Sequence, residues 1–539
     1  MTIDLSTCND EQREAILSND SHILCLAAAG SGKTFTMITR IARLVSEGVK
    51  PDSILALTFT NAAAFEMAQR YKKMMGSSNS SISPEFRTFH GFCYNLIIKD
   101  RNIRERLGYE KVPQVCEDSD YKKLKKELVI RLGLTLTDKE LEGEVFGKEK
   151  QRQMELFNKA LKKELRTQNL ITFDMMCYNV GQLFQDDAPE VHYYKHKYKY
   201  IMLDESQDTD PRQMKFISSF GDNINYFFVG DILQNIYSFR GCTNEVIKVL
   251  AKAPDWTVIK LYQNYRSTRQ ICEFANRFSV YADKTFRIPM NGQRDGEEVT
   301  VIRGACAGYN QSVDPRHLRS LVKMLRENPS QCAIICRSNR EVNAVAEKLK
   351  EEDIDFSRSR KESDAIFILN SVLDNEYMKD WLSTLLEGPR YADYIRLSSQ
   401  EKNPDIRWFL SLYGNEAKIK EPFNKIVKIR KIVSDESATV QSKLEQIKKI
   451  LKVKASKEFD IPEDSKGKQL IEELRDAMLV DEETKIYIGT IHSVKGLEYD
   501  TVYVMGVDDK SFQLGDEEMN NLYYVAITRP KEKLVVFRK

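Results

Sequence analysis

The octapeptide AAAGSGKT at 27–34 limits what this chain can fold into more than any other stretch. It follows an apolar run, HILCLA (22–27), and precedes a helix-patterned segment, TMITRIARLVSEG, so that a strand, a glycine turn and a helix succeed one another. Gly30 and Gly32 let the backbone curl until its N–H groups and the helix N-terminus face anionic oxygens. Lys33 adds a point charge for the β- and γ-phosphates of a nucleotide, and Thr34 supplies a hydroxyl for Mg²⁺. The usual pattern G-x-x-x-x-G-K-[ST] has its first glycine where Ala27 stands here. The other Gly-Lys pairs, Gly147–Lys148 and Gly467–Lys468, lack a preceding strand and a following Ser or Thr, so one nucleotide site is predicted.

The alternation of short apolar runs with helical patterns continues through SILALTFT. It returns in YIMLDE (200–205) and YFFVGD (226–231), and again in EVTVIR, CAIICR, KIYIGT, TVYVMG and KLVVFR between 298 and 538. Such a succession predicts an α/β fold with parallel sheets covered by helices. Two stretches interrupt it, at about 100–165 and 356–480. Both are charged and helical in spacing, and the second carries Trp381 and Trp408. They read as helical insertions into two α/β domains. A chain of 539 residues has room for about three or four folding units. Its 82 Lys+Arg against 80 Asp+Glu leave a net charge of only +2, so any nucleic-acid surface must be local. The 10 cysteines form no C-x-x-C pair and read as buried thiols. There is no long apolar run, and MTIDLSTCNDEQREA has no signal-peptide pattern, so the sequence predicts a cytoplasmic protein without a membrane segment.

Nucleotide hydrolysis needs acidic groups at the end of another strand, and YIMLDESQD supplies them. Asp204 is the candidate Mg²⁺ carboxylate and Glu205 the candidate general base. The basic, aromatic run HYYKHKYKY (192–200) leads into this strand and reads as a partly exposed strand entrance rather than a DNA groove.

The ordered blocks Gln12, AAAGSGKT, TFTNAAAFEM, RTFHGFC, LDESQDTDPRQ, VGDILQNIYSFRG, QNYRST, GTIHSVKGLEYD and LYYVAITRP together resemble the superfamily 1A helicases related to UvrD, Rep and PcrA. The block VGDILQNIYSFRG sets them apart from the RecD and Pif1 branch. The resemblance implies two RecA-like domains, 1A (1–98 and 167–262) and 2A (263–355 and 481–539). It also implies a helical insertion 1B (99–166) and a shortened 2B-like insertion (356–480). ATP then sits in the cleft between the domains and single-stranded DNA lies across the top. In these terms Gln12 reads adenine, Tyr265 stacks on it, and Ala29, Gly30, Ser31, Gly32, Lys33 and Thr34 cradle phosphate and Mg²⁺. Gln234 senses the γ-phosphate, Arg266 and Arg529 reach it across the cleft, and Glu498 contacts the ribose. Phe59, Tyr237, Phe239 and His492 face DNA, with Thr60, Asn61, His90 and Arg240 as further candidates.

This chain departs from the family wording at several places. Phe239 replaces the usual Trp, Ala62 a Lys, Ala28 a Gly, and Asn520 and Asn521 an Arg-Arg pair. The implied activity is ATP-driven 3′-to-5′ movement on single-stranded DNA with unwinding at duplex junctions. The alternative is a DNA-stimulated sensing or recruiting ATPase that works beside a separate nuclease in repair, phage replication or phage defence.

Overall fold

The computed structural model describes residues 3–76, 83–116, 118–141, 147–221, 223–237, 242, 244–278, 286–304, 313–327, 331–357, 368–369, 372–373, 417–435, 437–451, 461, 467, 469–475, 486–507, 512 and 517–538. Phe239, Arg240, Trp381, Trp408 and Cys306 lie outside the described residues.

The strands in chain order are β1 (His22–Ala27), β2 (Ile54–Thr58), β3 (Glu85–Thr88), β4 (Gln114–Val115), β5 (Leu170–Ile171), β6 (Tyr200–Leu203), β7 (Asn225–Gly230) and β8 (Thr257–Leu261). There follow β9 (Gln263–Thr268), β10 (Asn291–Arg294), β11 (Thr300–Arg303), β12 (Cys332–Cys336), β13 (Phe356–Ser357), β14 (Ile486–Thr490), β15 (Tyr499–Val507) and β16 (Pro530–Arg538). Among the described residues they form two 6-stranded sheets, β3-β2-β6-β7-β1-β8 and β11-β16-β15-β12-β14-β13, with every pairing parallel. Because the strands of a sheet all point one way, the loops after β1, β2, β3, β6 and β7 leave from a single edge. That edge is where open α/β sheets place ligands.

Both faces of the first sheet are covered, which is why its strands read as continuous apolar runs. Ile23, Cys25, Ile54, Ala56, Met202, Phe227 and Val229 pack on Met37, Ile38 and Ile41 of the helix Lys33–Ser46. The alternate residues Leu24, Leu26, Leu55, Leu57, Ile201 and Leu203 face a second core that continues to Ala333, Ile335, Val502, Val504 and Val536 of the other sheet. The two lobes therefore share apolar packing beneath the cleft. In the helix Lys33–Ser46, Arg40 donates from Nη1 to the carbonyls of Ala15 (2.8 Å), Ile16 (3.2 Å) and Ser18 (2.8 Å). These bonds satisfy the last carbonyls of the helix Asp10–Leu17 and fix it, with Gln12, beside the phosphate loop.

Between β3 and β6 the chain forms the helices Asp118–Arg131 and Lys148–Thr167, whose Leu128, Phe157, Leu161 and Leu165 make a small core of their own. The short β4 and β5 pair at its root. In the later stretch, the helices Ala417–Val433 and Val440–Leu451 pack as a pair. The strand β13 at 356–357 pairs with β14, so the second sheet extends past the expected boundary at 356. No helix among the described residues is long and apolar enough to cross a membrane.

The segment HYYKHKYKY is not a strand entrance: His192–Lys197 is a short helix, and only Tyr200 enters β6. Its polar ends are spent on structure, because Lys195 pairs with Asp187 and Tyr194 Oη donates to Asp100. The strands β3, β8 and β9 were not legible as strands, since EFRT and TVIKL carry charged or polar residues at positions that the sheet only half buries and QNYRST is polar even where it is buried.

Glu85 on β3 accepts hydrogen bonds from Tyr198 Oη (2.6 Å), Arg87 Nε (3.1 Å) and Asn95 Nδ2 (3.1 Å) and pairs with Lys197. Burial works to raise its carboxyl, but Arg87, the Tyr198 hydroxyl and Lys197 outweigh burial and hold it below its ordinary 4.5. A depressed carboxyl stabilises the fold above its unfolded value and loses that contribution as pH falls through the folded one. Glu85→Gln therefore lowers the melting temperature near neutral pH by the equivalent of about 1–3 kcal/mol. In thermal melts at stepped pH, the gap from wild type shrinks as the pH drops below 4.5.

Candidate active site

The phosphate loop turns back on itself at Gly30 (φ 69°) and Gly32 (φ 78°), both in the left-handed region. A Cβ on Gly30 would lie 2.7 Å from Asn264 Nδ2 and 2.9 Å from Arg266 Cβ, and one on Gly32 would lie 2.8 Å from Gln12 Nε2. Both positions thus need glycine for conformation and for space. Ser31 Oγ closes the loop on the Ala28 carbonyl at 2.8 Å. Gly32 offers no side-chain cap to the helix Lys33–Ser46, so its first amides can meet anionic oxygens. Lys33 is buried there, 3.9 Å from Glu205 Oε2.

The acidic pair stands at the end of β6. Asp204 Oδ2 accepts from Thr34 Oγ1 at 2.8 Å, and Asp204 Oδ1 accepts from the Glu205 amide at 3.0 Å. Glu205 sits at φ 51°, a left-handed conformation that costs a non-glycine residue about 1–3 kcal/mol and is held here by its neighbours. Gln207 Nε2 donates to Glu205 Oε2 at 2.5 Å, and the Asp231 amide donates to Gln207 Oε1 at 3.0 Å. Burial, and then the adjacent Glu205 charge, push Asp204 up to about 7. At Glu205 burial is outweighed by Lys33, Lys495, Gln207 and Arg529, which hold the carboxyl down. A buried carboxyl beside a hydroxyl is a hard-oxygen pair of the kind Mg²⁺ takes together with phosphate and water, so Thr34 and Asp204 fit that ion.

The opposite wall comes from β9 and the second sheet. The Tyr265 amide donates to the Gly30 carbonyl at 2.9 Å, and Tyr265 Oη donates to Gln12 Oε1 at 3.3 Å. Gln12 Nε2 in turn donates to the Ser31 carbonyl at 3.0 Å, and the Tyr265 ring stays exposed. Arg266 donates from Nε to Glu498 Oε2 (2.8 Å) and from Nη1 to the Thr528 carbonyl (3.2 Å). Arg529 is fully buried. It donates to the carbonyls of Val525 (2.8 Å) and Leu497 (3.3 Å) and to Gln234 Oε1 (3.1 Å). Burial, followed by the nearby Arg266 charge, lowers Arg529 to about 9, which still leaves it cationic at neutral pH. Gln234 Nε2 donates to Asp231 Oδ2 at 2.7 Å.

All the residues expected around the nucleotide therefore gather in one cleft: Gln12, Ala29 to Thr34, Asp204, Glu205, Gln234, Tyr265, Arg266, Glu498 and Arg529. On the adjoining edge Phe59 stacks on Tyr237 (centroids 5.0 Å apart, 17° between planes), and His492 lies 6.2 Å from Tyr237. Thr60 and Asn61 are close by but already engaged. Thr60 Oγ1 caps the helix Asn61–Met75, and Asn61 Oδ1 accepts from Thr88 Oγ1. His90 is not part of the aromatic cluster. It packs edge-on against Phe173 at 5.3 Å and shares a hydrogen bond with Cys177.

Sequence reasoning missed several residues. Asn264 Nδ2 donates to the Ala29 carbonyl at 2.7 Å while its Oδ1 accepts from the amides of Arg266 (2.9 Å) and Ser267 (2.7 Å), so one buried amide fixes β9 to the phosphate loop. Asn521, which replaces an arginine of the family wording, still reaches across, donating to the Asn235 carbonyl at 3.0 Å. Lys495 binds Asp208. Only their places inside the motif blocks could have signalled these roles.

The family model for the UvrD/REP helicase N-terminal domain matches residues 8–146 and 117–255, and that for the UvrD-like helicase C-terminal domain matches 259–392 and 391–538. The chain belongs to the UvrD/REP helicase family. Two six-stranded parallel sheets with helical insertions are the RecA-like pair expected of such a UvrD-like chain. DNA helicase II of Escherichia coli is 25% identical over 99% of this chain and 84% of its own length. The ATP-dependent DNA helicase PcrA of Staphylococcus aureus is 26% identical over 99% and 83%.

Asn264→Ala removes the clamp on the Ala29 carbonyl and frees the β9 backbone. Titration with a fluorescent ATP analogue is expected to show binding weaker by about ten-fold, as the loss of a buried hydrogen-bond partner implies.

Proposed function

We propose that this UvrD-like chain hydrolyses ATP to move 3′-to-5′ on single-stranded DNA and to unwind duplex at single-strand/double-strand junctions. The observation that carries the reading is a carboxylate, Glu205, 3.9 Å from Lys33 of its own lobe and within the field of Lys495 and Arg529, which reach over from the other lobe to bind Asp208 and Gln234. Cations from both lobes thus border the acidic turn, as the terminal phosphate of a nucleotide bridging the cleft requires. The two relatives, both named as DNA helicases and one of them as ATP-dependent, support it.

In this reading adenine lies between Gln12 and the exposed Tyr265 ring, the ribose meets Glu498, and the phosphates meet the amides of Ala29 to Gly32 with Lys33. Thr34 and Asp204 hold Mg²⁺, which supplies charge neutralisation on the phosphate oxygens when bound. Glu205, kept ionised by its cations, takes the proton of the attacking water. Arg266 and Arg529 stabilise the charge on the transferred phosphoryl group, and Gln234 reads its presence. Phe59, Tyr237 and His492 form the DNA face, and the motif wording gives Phe239 and Arg240, which lie outside the described residues, the same role. Stacking on such rings is worth about 1–3 kcal/mol per base and tolerates any sequence. Nothing in the fold or the family matches favours a sensing subunit beside a separate nuclease, and that alternative is set aside.

Displacement of 3′-tailed but not 5′-tailed duplex, with hydrolysis stimulated by single-stranded DNA, is the expected result. Lys33→Ala and Glu205→Gln each lower turnover by about 10²-fold or more while the chain stays folded. Full hydrolysis by Glu205→Gln, or displacement from the 5′ tail alone, overturns the reading. Separately, Tyr237→Ala weakens binding to an oligothymidylate by about ten-fold in anisotropy titrations, the loss of one stacked base.

A further inference from the structure

Lys495 follows the turn Ile491–Val494 at the end of β14 and therefore belongs to the second sheet, yet its ammonium is bound entirely by the first lobe. Its Nζ donates to Asp208 Oδ1 (2.7 Å), Asp208 Oδ2 (2.5 Å) and the Gln234 carbonyl (2.7 Å), and it lies 4.6 Å from the centre of the Tyr237 ring. Both partners are out of water, with side-chain exposures of 9% for Lys495 and 2% for Asp208. An ammonium has three protons to donate, and here the carboxylate and the carbonyl take its donor capacity.

Each of these contacts belongs to a different working part. Asp208 closes the turn that begins at Glu205, its amide donating to the Glu205 carbonyl at 2.9 Å. Gln234 carries the side chain that bonds Asp231 and Arg529. Tyr237 stacks on Phe59 and neighbours His492. Two further polar links between the lobes lie near this point, a neutral hydrogen bond from Asn521 to the Asn235 carbonyl and the bond from Arg529 to Gln234 Oε1. A buried ion pair is a poor device for stability, because desolvation offsets most of its attraction, but it fixes geometry wherever breaking it leaves a charge unpaired. Any shift of the second lobe that opens or closes the nucleotide cleft must carry the Lys495 ammonium with it. The acid turn, the Gln234 backbone and the Tyr237 ring then shift as well.

We propose that Lys495, clamped between Asp208, the Gln234 carbonyl and the Tyr237 ring, is the positioning residue through which nucleotide in the cleft changes the affinity of the aromatic face for single-stranded DNA. The proposal rests on the ATP and DNA sites assigned under the proposed function. Coupling between two sites is the ratio of one ligand's affinity with and without the other. Anisotropy of a labelled oligothymidylate, titrated with the full chain in the presence and absence of a non-hydrolysable ATP analogue, reads that ratio directly.

Wild type is expected to show a ratio displaced from one by at least about five-fold. In Lys495→Gln, in Asp208→Asn, and in the double substitution Lys495→Met with Asp208→Leu, the ratio falls to nearly one. The double variant leaves no orphaned charge and keeps a near-native melting temperature, so its loss of coupling cannot come from a weakened fold. If either single variant fails to fold, the double variant decides. A folded variant that retains the wild-type ratio overturns the proposal, as does a wild-type ratio of one. A wild-type chain that shows the ratio but neither hydrolyses ATP nor displaces a strand removes the motor reading and leaves the Lys495 coupling standing.

Discussion

Charge withdrawn from water between the two sheets has to be neutralised inside the protein, and the structure does this by pairing within each lobe and across the cleft between them. Lys33 faces Glu205 within the first lobe and Arg266 binds Glu498 within the second, while across the cleft Lys495 holds Asp208 and Arg529 donates to Gln234, which in turn donates to Asp231. A lone buried ion costs several kcal/mol even after relaxation, so Lys495 and Arg529 cannot keep their places if their partners across the cleft leave. The relative position of the lobes and the ionisation of the site are therefore a single property. The divergence of the two neighbouring carboxyls comes from burial and the adjacent Glu205 charge, which raise Asp204, and from Lys33, Lys495, Gln207 and Arg529, which outweigh burial at Glu205 and lower it. Adjacent titratable groups driven apart in this way are a mark of acid–base chemistry.

The scaffold makes that arrangement possible by being parallel throughout. Parallel strands buried on both faces leave their loops at one edge, and in the first sheet that edge carries the phosphate loop, the acid turn, the Gln234 turn and the stacked Phe59 and Tyr237. The nucleotide side and the aromatic side are consequently a few residues apart along the chain, between Gln234 and Tyr237. Rigid strands below and short turns above allow a movement of fractions of an ångström at one to be felt at the other. Asn264 serves the same end by clamping the first strand of the second lobe to the Ala29 carbonyl.

Much of this was written in the linear order of residues. AAAGSGKT, LDESQD and the motif blocks announced an α/β fold, a phosphate loop and an acidic pair, because glycine at a left-handed turn and carboxylates after an apolar strand carry their physics locally. The helical character of 99–166 was legible for the same reason, since its amphipathic spacing is a property of a single helix. What escaped were elements defined by their neighbours. EFRT became an edge strand because β2 pairs with it, HYYKHK became a helix beside Glu85, and Phe356 and Ser357 joined β14 beyond the expected boundary.

The sequence alone settled which chemical groups are present and how each short segment is inclined to fold, for those depend on a few consecutive residues. Only the tertiary structure decided which charges meet. Arg266 lies 232 residues from Glu498, Lys495 lies 287 from Asp208, and Arg529 lies 295 from Gln234. A low-dielectric cleft assembled from two separate sheets brings them within hydrogen-bond distance. Electrostatic pairing depends on distance in space and on exclusion of water, and neither is encoded in the spacing of letters along a chain.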